Sequence, residues 1–302
     1  MTARIWIVLL GLSLSACASL DRPFFYEIER NGTKAYVLGT SYSGWRAEQL
    51  PKYVVERLQA SAGYASELHP KSAEVTSAQF AQAFVRRQFL EIAKNKQNDV
   101  RLRERLSPKA FAMVEKAFAR VLKHTNPRDL DFYPPVLARY IVSEEAKRAQ
   151  IYLSQEISFG IDQELDRELF HLAKKAGLEI YALDSYPQVP QACDDLVAVT
   201  DLEIMANQGA DGEKSKREWA NAFRSGDESQ LQRVIEERFS LEERACVLDQ
   251  RNSQWAEQID QNHDFFKTSF IAVGAAHLVG EKSLFSLLRD RGFTVKRYQP
   301  SN

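Results

Sequence analysis

Apolar positions along this chain follow two periods. Runs over 24–30 and 34–39 read as strands, and the Asn31-Gly32 pair between them is a strong hairpin signal, because both residues tolerate positive φ. Leu50-Pro51 opens a helix carrying Val54, Val55 and Leu58, and an apolar run over 63–68 reads as the next strand, ending in Glu67-Leu68-His69-Pro70. From about 72 to 150 the period turns helical. Phe80, Phe84 and Ile92 fall near helical spacing, and Ser107-Pro108 places proline in a first helical turn. Phe111, Val114, Phe118 and Val121 then form a stripe. Pro127 and the Pro134-Pro135 pair punctuate further helices. These phenylalanines read as packing between helices.

After Gly160-Ile161-Asp162, the residues Leu165, Leu169, Leu172 and Ala176 line one helical face, and Gly177 supplies the stop. A strand over 178–183 leads to Asp184. Helices fill 190–261, with breaks expected at 209–212 and at Gly226-Asp227. The chain closes with a strand over 270–274, a helix carrying Leu284, Leu287 and Leu288, a stop at Gly292 and a strand over 293–298. Strand–helix–strand units with short joins predict an α/β fold. The expected architecture is a central mixed, largely parallel sheet with an N-terminal hairpin, flanked by helices. It carries a helical insertion at about 72–150 within one domain over 24–302.

The amino end changes this picture. Arg4 precedes an apolar run over 5–12 that is too short to span a bilayer, and Leu14-Ser15-Ala16-Cys17 follows. The pattern resembles the lipobox of bacterial lipoproteins. It implies a signal peptide over 1–16, an acylated Cys17 and a tether over 17–23. The other reading is an ordinary secretory signal with an incidental cysteine. Ala18, with no aspartate after the cysteine, points to the outer membrane facing the periplasm, with the bilayer as a partner. With 40 basic and 41 acidic residues, and no basic stripe interleaved with aromatics, nothing suggests a nucleic-acid partner. Cys193 and Cys246 are the remaining cysteines. In an oxidising envelope compartment they are expected to form a disulfide; the alternative is two buried thiols.

Two distant segments look alike: Ala35-Tyr36-Val37-Leu38-Gly39-Thr40-Ser41-Tyr42 and Phe270-Ile271-Ala272-Val273-Gly274-Ala275-Ala276-His277. Each is an apolar strand, a glycine, two small residues and a ring, and each ends where an α/β sheet binds ligands. Tyr42, Glu67, His69, Asp184 and His277 all sit at strand ends. His277 suits a neutral metal ligand, a general base or a structural hydrogen bond. Glu67 suits a ligand or base, and Tyr42 an oxyanion donor or a packing residue. Arg251, on a long helix with Asn252 and Trp255, either reaches Glu67 or Asp162 or lies on a solvated face. His124 and His263 lie near helix ends, and His171 lies mid-helix on a solvated face. The chain has no compact metal, phosphate-loop or nucleophile-elbow motif.

Tyr36-Val37-Leu38-Gly39-Thr40, the strand ending in Glu67, Gly160-Ile161-Asp162, Arg251-Asn252-x-x-Trp255 and Val273-Gly274-Ala275-Ala276-His277-Leu278 occur in this order. Together they resemble the TraB/GumN family over about 24–298. That family is similar to a wider group containing Tiki-type metalloproteases and erythromycin-esterase-like proteins. The resemblance implies an α/β core with two Gly-x-x-His motifs and a glutamate. It also implies metal-assisted hydrolysis, with a divalent ion such as Zn or Mn. Carried over by position, Glu67, His277, Tyr42 and Arg251 are the catalytic candidates, and His277, Glu67 and His69 the metal ligands. Two positions depart from the pattern. Tyr42 stands where the first histidine belongs, and His69 where an acid is usual. Tyrosine, with a reference pKa of about 10, is a poor neutral ligand.

Three functions follow. The first is a metal-dependent hydrolase acting on an envelope peptide, ester or polysaccharide-related ligand. The second is a catalytically inactive binding or accessory lipoprotein that keeps the fold. The third is a purely structural envelope protein.

Overall fold

Both look-alike segments become neighbouring strands. In the computed structural model of the chain, β2 (Thr33–Thr40) runs parallel to β5 (Phe270–Gly274), with Gly39 opposite Val273 and Thr40 opposite Gly274. The structure describes residues 20, 22–41, 45–67, 69–70, 74, 77–121, 127–150, 164–184, 191–208, 210–262, 266 and 268–300. The stretch 1–16 expected to be a signal peptide, Cys17, Tyr42, His124, Gly160-Ile161-Asp162 and His263 lie outside the described residues.

Six strands form one sheet: β1 (Phe25–Arg30), β2, β3 (Gly63–Ser66), β4 (Glu179–Ala182), β5 and β6 (Thr294–Arg297), in spatial order β4-β3-β5-β2-β1-β6. Only β1 runs against the rest, because it is joined to β2 by the tight Asn31-Gly32 turn, with φ of 53° and 77°. The sheet is thus mixed and mostly parallel, with an N-terminal hairpin. Its central strand β5 is buried at every position, as expected for a parallel strand covered on both faces.

Helices cover this sheet. Val54 and Leu58 of α1 (Lys52–Gln59) join the central core. α2 (Ser77–Gln97), α3 (Pro108–Val121) and α4 (Pro135–Gln150) follow β3, and α5 (Glu164–Lys175) brings in Leu165, Leu169 and Phe170. Then come α6 (Gln191–Gln208), α7 (Ala210–Ser225), α8 (Glu228–Arg238) and α9 (Leu241–Arg244). α9 passes through a π-helical segment (Ala245–Asp249) into α10 (Gln250–Gln261), and α11 (Leu284–Asp290) bridges β5 to β6. The break expected at 209–212 is shorter than that, since α7 starts at Ala210 and runs through Gly212. β3 stops at Ser66, two residues before the expected end.

A second apolar cluster separates from the sheet core. Phe111, Val114 and Phe118 of α3 pack with Ala138 and Ile141 of α4 and Leu202 of α6. This is the helical insertion, with α6 as its floor. Cys193 on α6 is bonded to Cys246 in the π-helical segment, Cα–Cα 5.7 Å apart. The disulfide therefore ties the helical layer to the segment from which α10 carries Arg251. Among the described residues, no helix is long and apolar enough to cross a membrane.

Candidate functional site

The carboxyl ends of β3, β4 and β5 bring three of the predicted residues together, and α10 supplies the fourth. Glu67 follows β3 and is 1 % exposed. Its Oε1 accepts the Gly274 backbone N–H at 3.0 Å, which satisfies the donor at the end of β5. A β-carbon at position 274 would sit 3.3 Å from that oxygen, so glycine there lets the carboxylate reach the strand. Glu67 Oε2 accepts from Arg251 Nη2 at 2.7 Å, and Asp184 Oδ2, just past β4, accepts from the same nitrogen at 2.6 Å. Arg251 Nη1 also donates to the Val247 carbonyl in the π-helical segment. The guanidinium stacks over Trp255, 4.6 Å from the ring centroid, and Trp255 Nε1 donates to Asp184 Oδ1 at 2.7 Å. Arg251 thus pairs with Glu67, one of its two expected partners, and with Asp184.

His277 sits in a 3₁₀ turn (Ala275–Leu278) directly after β5 and is 3 % exposed. Its protonation follows from the network around it. Asn252 Nδ2 donates to the Lys282 carbonyl at 2.9 Å, which turns Asn252 Oδ1 toward His277 Nδ1 at 2.7 Å. Nδ1 therefore carries the proton, and Nε2 presents its lone pair to Arg251 Nη1 at 3.3 Å and lies 3.6 Å from Glu67 Oε2. Burial, reinforced by the Arg251 charge, holds the ring well below the usual histidine pKa, so it is neutral. Asp184 is pushed up from the ordinary carboxylate range by burial, against the pull of Arg251.

A further buried acid lies beside this cluster, outside the strand-end motifs. Asp166 on α5 is 1 % exposed, and its Oδ1 accepts from Thr40 Oγ1 at 2.8 Å, at the end of β2. Its Oδ2 is buried without a hydrogen-bond partner. Burial, with the Glu67 charge next in size, raises its pKa to about 8. Burial thus favours its protonated form far above the ordinary carboxylate range. A signal was available: Asp166 falls on the same helical face as Leu169, Phe170 and Ala173, where an acid is out of place.

A model of the TraB/PrgY/gumN family matches residues 24–297. The chain belongs to the TraB/PrgY/gumN family. No curated protein and no solved structure matches it. The family match spans every strand and helix described above, including the Glu67–Arg251–His277 cluster. For this TraB/PrgY/gumN chain the family resemblance implies a divalent ion. Among the described residues, no group of three His, Cys, Asp or Glu side chains is placed to hold one. His69 follows β3, half-buried, and Tyr42 lies outside the described residues. The Glu67 oxygens are already taken by the Gly274 N–H and by Arg251. His171 is exposed on α5, as expected.

The cluster can nevertheless do polar chemistry. One guanidinium faces two carboxylates, with a buried acid and a neutral imidazole beside them. The Arg251 side chain keeps 13 % of its surface exposed, whereas that of Glu67 keeps 1 %. A ligand would therefore reach the cluster from the Arg251 side. It would meet there a guanidinium held by Glu67, Asp184 and the Val247 carbonyl, with His277 Nε2 behind it.

Proposed function

We propose that this is a lipid-anchored envelope protein of the TraB/PrgY/gumN family that uses the Glu67–Arg251–His277 cluster to bind an envelope peptide, ester or polysaccharide-related ligand, without running metal-dependent hydrolysis. The observation that carries this reading is the position of Arg251. Its guanidinium supplies the positive charge beside Glu67 and His277, two of the three ligands that the family resemblance implies. Tyr42 in place of the first histidine supports the same reading.

A second reading has one observation in its favour. His277 offers Nε2 while Asn252 holds the Nδ1 proton, and an outer partner of this kind orients metal-bound histidines. If Arg251 withdrew, Glu67 and His277 would be two ligands of an ion that polarises a carbonyl or activates water.

Elemental analysis separates the two. The domain is purified without chelators or an affinity tag, incubated with Zn or Mn and desalted, alongside His277→Ala. The binding reading expects no stoichiometric metal in either protein and no thermal stabilisation by the ions. A stoichiometric ion in the wild type that is lost from His277→Ala would instead establish the hydrolase reading.

A further inference from the structure

The site lies at the same edge of the fold as Leu20 and the segment 22–24 that leads into β1. β1 is antiparallel to the other strands, so its beginning lies beside their carboxyl ends. The Phe24 carbonyl accepts from Gly39 N–H at 2.7 Å, one residue short of Thr40 and Asp166. A β-carbon on Gly39 would meet Phe24, Leu278 and Ala275, so Phe24 packs against the very turn that carries His277. The residues before it are also fixed to this edge. Arg297 donates to the carbonyls of Arg22 and Pro23 at 3.1 and 2.9 Å. Gly226, at φ +64°, leaves no room for a side chain beneath the Arg22 carbonyl. Leu20 is 1 % exposed in the core, and its N–H donates to the Gln49 carbonyl at 3.1 Å. Gln49 closes the 3₁₀ turn Ala47–Gln49, whose Ala47 N–H bonds Glu168 on α5, two residues from Asp166.

Cys17 lies three residues before Leu20. Three residues span at most about 11 Å even when fully extended. An acylated Cys17 therefore leaves no long flexible leash between fold and bilayer. We propose that the carboxyl edge of the sheet, with the Glu67–Arg251–His277 cluster, is held against the membrane surface, and that the site takes a ligand presented by the bilayer. This deepens the proposed function and rests on its lipid-anchoring reading.

The reasoning is steric. A gap of about 11 Å at the anchor is well below the ~30 Å diameter of a small folded domain. A folded protein arriving from the periplasm would have to lever the domain off its own anchor. A lipid-borne molecule needs no such movement. Arg22 and Arg224 are exposed on this edge, and such cations favour an anionic lipid surface. The opposite edge, with the Asn31-Gly32 turn and Ala62, lies about 25 Å away, the length of the eight-residue β2.

Energy transfer to the bilayer tests this on the full-length lipoprotein. The probe is a phosphatidylethanolamine–phosphatidylglycerol vesicle carrying an acceptor dye on its headgroups. A donor is attached at Glu48→Cys, exposed on the anchored edge, or at Ala62→Cys, exposed on the opposite edge. The expected result is at least about threefold stronger transfer at position 48, given the ~25 Å between edges. A spacer of about 20 Gly/Ser residues inserted after Ala18, with an r.m.s. length near 25 Å, should bring the two signals together. Mass spectrometry of the same samples reports acylation of Cys17. Equal or reversed transfer in acylated protein would overturn the orientation alone. Protein without acyl chains on Cys17 would overturn the anchoring reading, and the orientation with it.

Discussion

Arg251 and Glu67, separated by 184 residues, share a 2.7 Å ion pair inside the protein, where Glu67 is 1 % exposed. Neither residue holds that position alone. Glu67 is brought there by the end of β3 and the Gly274 N–H, and Arg251 by a helix whose preceding π-helical segment is bonded to α6 through Cys246.

Removing the cation should therefore cost more than removing an ordinary surface arginine. Arg251→Ala leaves the Glu67 and Asp184 carboxylates buried without their partner, which is expected to destabilise the fold by roughly 3–5 kcal/mol. Arg251→Lys keeps the charge and loses the fork, so it should fall between the two. Denaturant unfolding of the three proteins checks this. A loss below about 1 kcal/mol for the alanine variant would show that the pair is solvated.

Asp166 makes stability fall as pH rises. Its folded pKa of about 8 lies above its unfolded value near 3.9, so between those values the folded chain holds a proton that the unfolded chain has lost. That contribution is complete below about pH 4 and is removed as pH climbs through about 8. His277, held low, acts in the opposite sense and withdraws stability as pH drops below about 6.5. Between roughly pH 6.5 and 8 the Asp166 effect therefore stands without its opponent, at up to ~1.4 kcal/mol per unit. Asp166→Asn should flatten this part of the stability profile in pH-dependent chemical unfolding. An unchanged slope would mean that Asp166 does not bind the proton.

The His277 ring is expected to remain the neutral Nδ1–H tautomer well below the usual histidine pKa in ¹⁵N NMR spectra, because burial and the Arg251 charge disfavour its protonation. Asn252→Asp replaces the acceptor with a negative charge and should raise the imidazole pKa by about one unit or more. If the two proteins titrate alike, Asn252 is not the group that orients the ring.

Gly39→Ala should damage the floor of the site without touching a polar group. The new methyl would lie 2.8 Å from the Phe24 β-carbon and 3.1 Å from that of Ala275, neither of which can rotate away. Overpacking of this kind costs typically 1–3 kcal/mol. A melting temperature within about 1 °C of wild type, where 1 kcal/mol shifts a domain of this size by at least ~2 °C, would show that the edge is looser than its contacts indicate.

Much of the fold is legible along the chain because its signals are local. The Asn31-Gly32 turn, the stripe from Phe111 to Phe118 and the stop at Gly177 each depend on neighbours a few residues apart. The break expected at 209–212 shows the limit: glycine lowers helix propensity, yet α7 runs through Gly212 because packing of the rest of the helix outweighs one residue's cost. The site was legible as a set of strand ends, and Glu67, Asp184 and His277 do meet. Asp166 is legible only as an acid on the apolar face of Leu169, Phe170 and Ala173, because its burial beside Thr40 depends on how α5 packs on the sheet.

By itself, the sequence determined the element types, the hairpin, the family and the residues available for chemistry, since periodicity, turn residues and ordered motifs are written in the chain. Only the tertiary structure decided what those residues are to one another. Arg251 became the partner of two carboxylates, His277 a neutral acceptor, and Asp166 an acid that keeps its proton. Charge state and pairing depend on burial and on distances across the sheet, and neither is a property of residues near in sequence.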